Sequence, residues 1–330
     1  MPEDLCPSCP YGVCIEDHRV IRVRGRATDF RLKQNTAIAC TFSDFVPGTD
    51  NDPAPERTFD EYIDRFRLNA RAAGLLLFGE TAQISGSALA KVEGDVFQTL
   101  EAAALWNATA VWNQYMMTGT WTSRVFTTPL GAVSTPTRRV AVITLPRGYD
   151  ATRLFKQEVR AAIAAHEESL KLRGMELGLS VPDIIGVRVP DPMPEAYAPF
   201  LQPLPNLSNE RRVVLETCFE ALEGTVDSRG FLFALAVKRT VRSDRLYQPL
   251  FEANVLKYLI QEVLKGAAFR FHVHIGSFEG AAVEERYKAA SLASLMRGGQ
   301  PTKAIDELRL ALRPQEDAQV ILNTLPLFPL

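Results

Sequence analysis

The sequence predicts an α/β protein with a central mixed sheet flanked by helices. Three observations carry that prediction. Short β-branched and aromatic runs alternate with stretches of helical periodicity; one run, Phe231 to Val237, is apolar at every position; and no repeat or clear linker divides the chain. A run apolar on both faces belongs to a central strand covered from two sides.

The elements follow in order. Residues 19 to 60 read as an irregular arm, with Arg22, Arg24, Arg26 and Arg31 and the turn-rich stretch from Pro47 to Pro53. From Ser87 to Met117 the pattern is helical, and Val92, Val96, Phe97, Leu100, Ala103, Ala104 and Trp106 give it the wide apolar face of a buried helix. Arg139 to Leu145 reads as a strand, ended by Pro146-Arg147-Gly148 before a helix over roughly 151 to 173. Further strands are expected at 184 to 189, 231 to 237 and 269 to 275. Further helices are expected at 207 to 222, from Pro249 onward, near 281 to 297 and near 301 to 312.

Composition narrows the function. The 330 residues carry 37 basic and 39 acidic side chains and are 46% hydrophobic, which excludes the disordered, collagenous and membrane-spanning classes. The start, Met1-Pro2-Glu3-Asp4, has neither a basic segment nor an apolar core, so a cytoplasmic location is expected. A net charge of −2 gives no global attraction to nucleic acid, and any DNA-binding role must rest on a local basic site. Five cysteines are too few for a disulfide framework; Cys40 and Cys218 read as buried packing thiols.

Asp183 opens one expected strand, Lys238 closes the central one, and Glu252 lies in the first turn of the next helix. If the two strands are antiparallel neighbours, Asp183 and Lys238 meet at one sheet edge, and Glu252, 14 residues beyond Lys238, can return to it. Two carboxylates and a lysine suit metal-assisted phosphodiester hydrolysis: carboxylates take a hard cation such as Mg2+, and lysine orients water or neutralises charge. Read singly, Lys238 is a solvated strand end and Glu252 a complement to the helix dipole.

The run from Lys238 to Glu252, with Pro182-Asp183 55 residues upstream, resembles the rearranged catalytic motif of the CCGG-family type II restriction endonucleases, a branch of the PD-(D/E)XK nucleases. Collinear matches extend the resemblance from about residue 24 to the C-terminal region: Arg24-Gly25-Arg26, Lys91 to Phe97, Trp106-Asn107, Arg138 to Val142 and Leu145-Pro146-Arg147. The first 20 or so residues lie outside it. The resemblance implies a restriction endonuclease-like fold, with Asp183 and Glu252 as active-site acids and metal ligands. It makes Lys238 the catalytic lysine and the Val237 main-chain carbonyl a further Mg2+ ligand. On the long early helix the family has a metal-site glutamate where this chain has Gln98; Asp95 or Glu101, a helical turn either way, would be its substitute.

By the same resemblance Arg242, Asp244 and Arg245 read the central CCGG. Arginine pairs bidentately with guanine, and a carboxylate accepts from the cytosine amino group; without the flanking motif these residues would read as a solvated, charged loop. Arg26 and Lys91 match positions that contact flanking DNA. The resemblance further implies duplex DNA as substrate, a homodimer or larger assembly such as a tetramer, a site of the form CRCCGGYG cut before the inner CCGG to leave four-base 5′ overhangs, and a companion DNA methyltransferase. A DNA-binding protein that has lost efficient cleavage is the alternative, motivated by Gln98.

Cys6, Cys9, Cys14 and His18 offer four ligands within 13 residues, spacing that closes around one tetrahedral structural Zn2+; incidental thiols on a tail are the alternative. The expected organisation is a Cys-rich segment, 1 to 20, followed by a nuclease domain, 21 to 330, with a DNA-contacting arm. His272 and His274 alternate on a strand without an obvious third ligand and read as structural, as does His166.

Overall fold

The computed structural model describes residues 14–18, 29–79, 84, 86–178, 181–190, 192–240, 247–266, 269–278, 283–298 and 300–328. In chain order the first elements are β1 (Ile15–His18), β2 (Asp29–Leu32), α1 (Gln34–Thr41), α2 (Phe59–Phe78), α3 (Gly86–Thr118), β3 (Val140–Thr144), α4 (Gln157–Lys171) and β4 (Ile184–Arg188). They are followed by α5 (Asn209–Thr217), β5 (Phe231–Lys238), α6 (Gln248–Lys257), β6 (Arg270–Ile275), α7 (Val283–Arg286), α8 (Leu292–Arg297), β7 (Glu307–Leu310) and α9 (Pro314–Thr324).

Strands β1 and β2 form an antiparallel pair, and the other five form one sheet in the order β3-β4-β5-β6-β7. Pairing is antiparallel from β3 to β5 and parallel from β5 to β7. The mixed sheet is therefore as expected, with β5 at its centre. Phe231 to Val237 are buried without exception, as a strand covered on both faces requires.

Helix α3, 33 residues long, lies against β3 and β5, and α9 packs on it. Two of its asparagines bind main chain as a neighbouring strand would. Asn113 accepts from Val140 N and donates to Val140 O, both at 2.7 Å; Asn107 accepts from Leu204 N at 2.7 Å and donates to Leu204 O at 3.0 Å. These bonds satisfy two buried amides, the edge of β3 at Val140 and the loop main chain at Leu204, and so fix the helix's position against the sheet. A bidentate pair, Arg67 Nε and Nη2 on Glu93 at 2.6 and 2.8 Å, ties α2 to α3.

Four expectations are corrected. Residues 19 to 60 are not all an arm: α1 falls there, and Ile38, Phe42, Phe45 and Val46 are buried core. The stretch near 301 to 312 holds strand β7, not a helix. Glu307-Leu308-Arg309-Leu310 alternates with period two, and parallel pairing to β6 supplies hydrogen bonds that a lone turn of helix would lack. The expected helix over 207 to 222 tightens after Thr217 into a 3-10 stretch, Cys218–Leu222. Helices α2 and α9 were not anticipated. Cys40 and Cys218 are half-buried, not buried, and burial pushes the Cys218 thiol up to about 11.

Gly186 faces Phe233 across the β4–β5 pair, and a Cβ built there would lie 2.0 Å from the phenyl ring. Phe233 is fully buried and has no room to retreat. Gly186→Ala is therefore expected to lower stability by about 1–3 kcal/mol in urea denaturation. Adding Phe233→Leu should recover part of that loss by vacating the ring's volume.

Candidate active site

The antiparallel register of β4 and β5 pairs Ile184 with Leu235, which sets Asp183, the residue before β4, beside the end of β5. Asp183 Oδ2 accepts from Val237 N at 2.8 Å and from Lys238 Nζ at 2.9 Å. Both bonds go to Oδ2, and Oδ1 takes part in neither. The side chains of Asp183 and Lys238 are 21% and 24% exposed, so the pair is shielded yet open to a ligand. A parallel β4 would have sent Asp183 to the opposite edge.

The pair opens into a cavity of about 800 Å3. Lys91, Asp95 and Gln98 line one wall, spaced by single turns of α3 so that they share a face; Arg147, Arg239 and Gln248 also reach it. Among the described lining residues Lys91, Arg147, Lys238 and Arg239 are basic, against Asp95 and Asp183. A chain of net charge −2 thus has a locally cationic cavity, the kind that draws in a polyanion. Burial raises the Asp95 pKa, opposed by Arg147, 3.6 Å away, and by Lys91.

Glu252 is 1% exposed and stands behind this wall. Gln248, one turn earlier on α6, lines the cavity and donates to Glu252 Oε1 at 2.8 Å. The structure thus brings Asp183, Lys238, Val237, Gln98 and Lys91 together, with Glu252 joined through Gln248. Of the two substitutes for the missing glutamate, only Asp95 faces the cavity. Glu101 is fully buried and points instead to His274, with Oε1 2.7 Å from Nδ1. His274 does have carboxylate neighbours, Glu101 and Asp317, contrary to expectation. His166 Nε2 is 3.1 Å from the Tyr258 hydroxyl, a structural contact.

Arg26, Arg242, Asp244, Arg245, Cys6 and Cys9 lie outside the described residues, as does the His18 side chain. Cys14 is buried. Sequence reasoning gave no role to Arg147, Arg239 or Gln248. A signal existed for two of them: Arg147 follows the end of β3, where Thr144 pairs with Ile184 and so shares Asp183's edge, and Gln248 precedes Glu252 by four helical residues. Arg239 is held through tertiary contacts, Nη2 2.5 Å from Asp60 Oδ1 and Cζ 6.0 Å from the centre of the Phe97 ring, which no local pattern announces.

A mixed five-stranded sheet flanked by helices, with this acid and lysine at adjoining strand ends, defines the restriction endonuclease fold. The profile of the Cfr10I/Bse634I restriction endonuclease family matches residues 62–325, and the chain belongs to that family. Among solved structures it is similar to the type IIF restriction endonuclease Bse634I with cognate DNA (TM-score 0.69, 19% identity, 94% of this chain and 97% of that one). It is similar also to a second structure of Bse634I restriction endonuclease (TM-score 0.71, 19% identity, the same coverage). Comparison with curated proteins finds no significant match. Among the described residues no helix is long and apolar enough to cross a membrane.

Asp183→Ala removes the acceptor of the Val237 N–H and the partner of Lys238 together. It is expected to cost about 1–3 kcal/mol of stability by chemical denaturation, and Asp183→Asn, which keeps an acceptor oxygen, clearly less.

Proposed function

We propose that this chain is a Mg2+-dependent type II restriction endonuclease that hydrolyses duplex DNA, as a homodimer, at a palindromic site with a CCGG core. The observation that carries the reading is the Asp183–Lys238–Val237 cluster opening into a cationic cavity at the ends of β4 and β5. The donors at the cavity suit a hard divalent cation: a carboxylate oxygen of Asp183, the Val237 carbonyl, and the Gln98 amide in place of a further acid; Glu252 would join them as a ligand once Gln248, which covers it, gives way. Mg2+ held there supplies charge neutralisation at the scissile phosphate and lowers the pKa of water.

The chain's own residues divide the remaining work. Asp183 holds the Lys238 ammonium at the cavity, where it hydrogen-bonds water or a phosphate oxygen as charge builds on phosphorus. Lys91, Arg147 and Arg239 supply positive charge along the wall for the DNA backbone. Arg242, Asp244 and Arg245 read the core bases, and Arg26 contacts flanking DNA. Two-fold symmetry of the dimer matches that of a palindrome; a site CRCCGGYG cut before the inner CCGG, with four-base 5′ overhangs, is the form we propose. A partner methyltransferase would protect the host's own copies. The Cys-rich segment, 1 to 20, is proposed to bind structural Zn2+ through Cys6, Cys9, Cys14 and His18, ahead of a nuclease domain over 21 to 330.

The neutral Gln98 in the cavity favours a second reading, a sequence-specific binder of the same fold with weak cleavage. Digestion of a plasmid library of CCGG sites with variable flanks, with Mg2+ and with EDTA, separates the two. Mg2+-dependent ends before CCGG are expected, whereas sites bound and left intact would sink the nuclease reading. Lys238→Ala should lower the cleavage rate at least ~10²-fold with binding retained. Gln98→Glu should lower the Mg2+ concentration for half-maximal cleavage. Arg242→Ala should cost about 1–3 kcal/mol of discrimination at one core base pair, and an unchanged preference in competition binding would refute its role.

A further inference from the structure

One helical turn beyond Gln98, three ionisable side chains from distant parts of the chain meet inside the protein. Glu101 of α3, His274 of β6 and Asp317 of α9 are fully buried, and a ligand atom from each lies within 4.8 Å of the other two. Only Glu101 Oε1 and His274 Nδ1 bond to one another. Asp317 Oδ1 is taken by an ion pair with Arg309 Nε. Glu101 Oε2, His274 Nε2 and Asp317 Oδ2 are sealed from solvent and make no hydrogen bond among the described residues. Folded interiors rarely leave such an atom unpaired, and Glu101 Oε2 and Asp317 Oδ2, two carboxylate oxygens orphaned within one cluster, point to a bound group.

We propose that Glu101, His274 and Asp317 hold a divalent first-row cation, Zn2+ or Mn2+, as a structural centre separate from the cleavage site. Two carboxylate oxygens and one imidazole nitrogen suit such a cation, whereas Mg2+ and Ca2+ prefer oxygen alone. The charges balance, since two carboxylates compensate a dication in a site with no solvent. Without one, burial pushes Glu101 up to about 8 and Asp317 up to about 7, the direction expected of carboxylates sealed from water. Burial also takes His274 down to about 4, leaving the neutral imidazole that can ligate. Arg309, the nearby cation, has Glu316 as a second partner at 3.5 Å.

The centre would pin α3, which carries Lys91, Asp95 and Gln98, to β6, where His274 pairs with Val237 of β5. It would thus fix the distance between the two walls of the cavity. Because the ligands come from residues 101, 274 and 317, the cation would be captured during folding and exchange slowly.

Metal content decides the matter, measured on full-length protein purified without chelator. The background is Cys6→Ser/Cys9→Ser/Asp183→Asn, so that neither the cysteine segment nor the cleavage site contributes and failure of the nuclease reading leaves the result intact. About one tightly held equivalent of Zn2+ or Mn2+ per chain is expected. His274→Gln should abolish it and lower the melting temperature. Should that variant not fold, protein produced in cobalt medium gives the answer: visible d–d bands without a thiolate charge-transfer band are expected. Under about half an equivalent, with no rise in melting temperature on growth in added Zn2+ or Mn2+, would overturn the proposal in favour of a protonated triad. Retention of the metal by folded His274→Gln would overturn it equally.

Discussion

The antiparallel pairing of β4 with β5 is the constraint on which the site depends. It sets a strand start beside a strand end, and so places Asp183 against the Val237 amide and the Lys238 ammonium although 55 residues separate the acid from the lysine. The pairing is tolerant of no side chain at Gly186, because the Phe233 ring occupies the space a Cβ would need. Core packing and the geometry of the candidate active site are therefore one problem. A shift of register by one residue would turn Phe233 to the other face and carry Asp183 away from Lys238.

Burial on both sides of β5 sets the second requirement, a long helix held at a fixed height on the sheet. Asn113 achieves this by satisfying the edge of β3 at Val140 from within α3, and Asn107 by binding the loop main chain at Leu204, a more exacting attachment than apolar contact, which allows sliding. Height matters because Lys91, Asp95 and Gln98 form a cavity wall only if their turns of α3 lie opposite Asp183. The same helix, a turn further on, submerges Glu101 beside His274. Within four residues the helix thus passes from an open cavity wall to a sealed polar cluster.

Electrostatically the protein is nearly neutral as a whole and polarised locally. Four basic and two acidic side chains line the cavity among the described residues, and Asp183 spends one carboxylate oxygen on holding Lys238 in place. That division leaves the cavity with a surplus of positive charge and the second oxygen of Asp183 outside both bonds. A lone lysine at a strand end would be mobile in water; ion pairing at 2.9 Å in a partly shielded site gives it a fixed position.

Much of this was legible in the sequence. The unbroken apolar run at Phe231 to Val237 determined the central strand, the spacing of apolar residues from Ser87 to Met117 determined the buried helix, and the motif from Asp183 through Lys238 to Glu252 indicated the family and the edge of the sheet at which Asp183 and Lys238 meet. What local pattern could not decide was whatever depends on a distant partner. Strand β7 is four residues long and owes its conformation to β6. Glu252 was expected at the cavity itself, and the packing of α6 sets it behind Gln248. Glu101 and Asp95 were equal candidates one turn either way from Gln98, and only the docking of α3 on the sheet turns one to the cavity and buries the other. Periodicity reports which face of an element is apolar; what a polar side chain meets there is determined by the chain returning from hundreds of residues away.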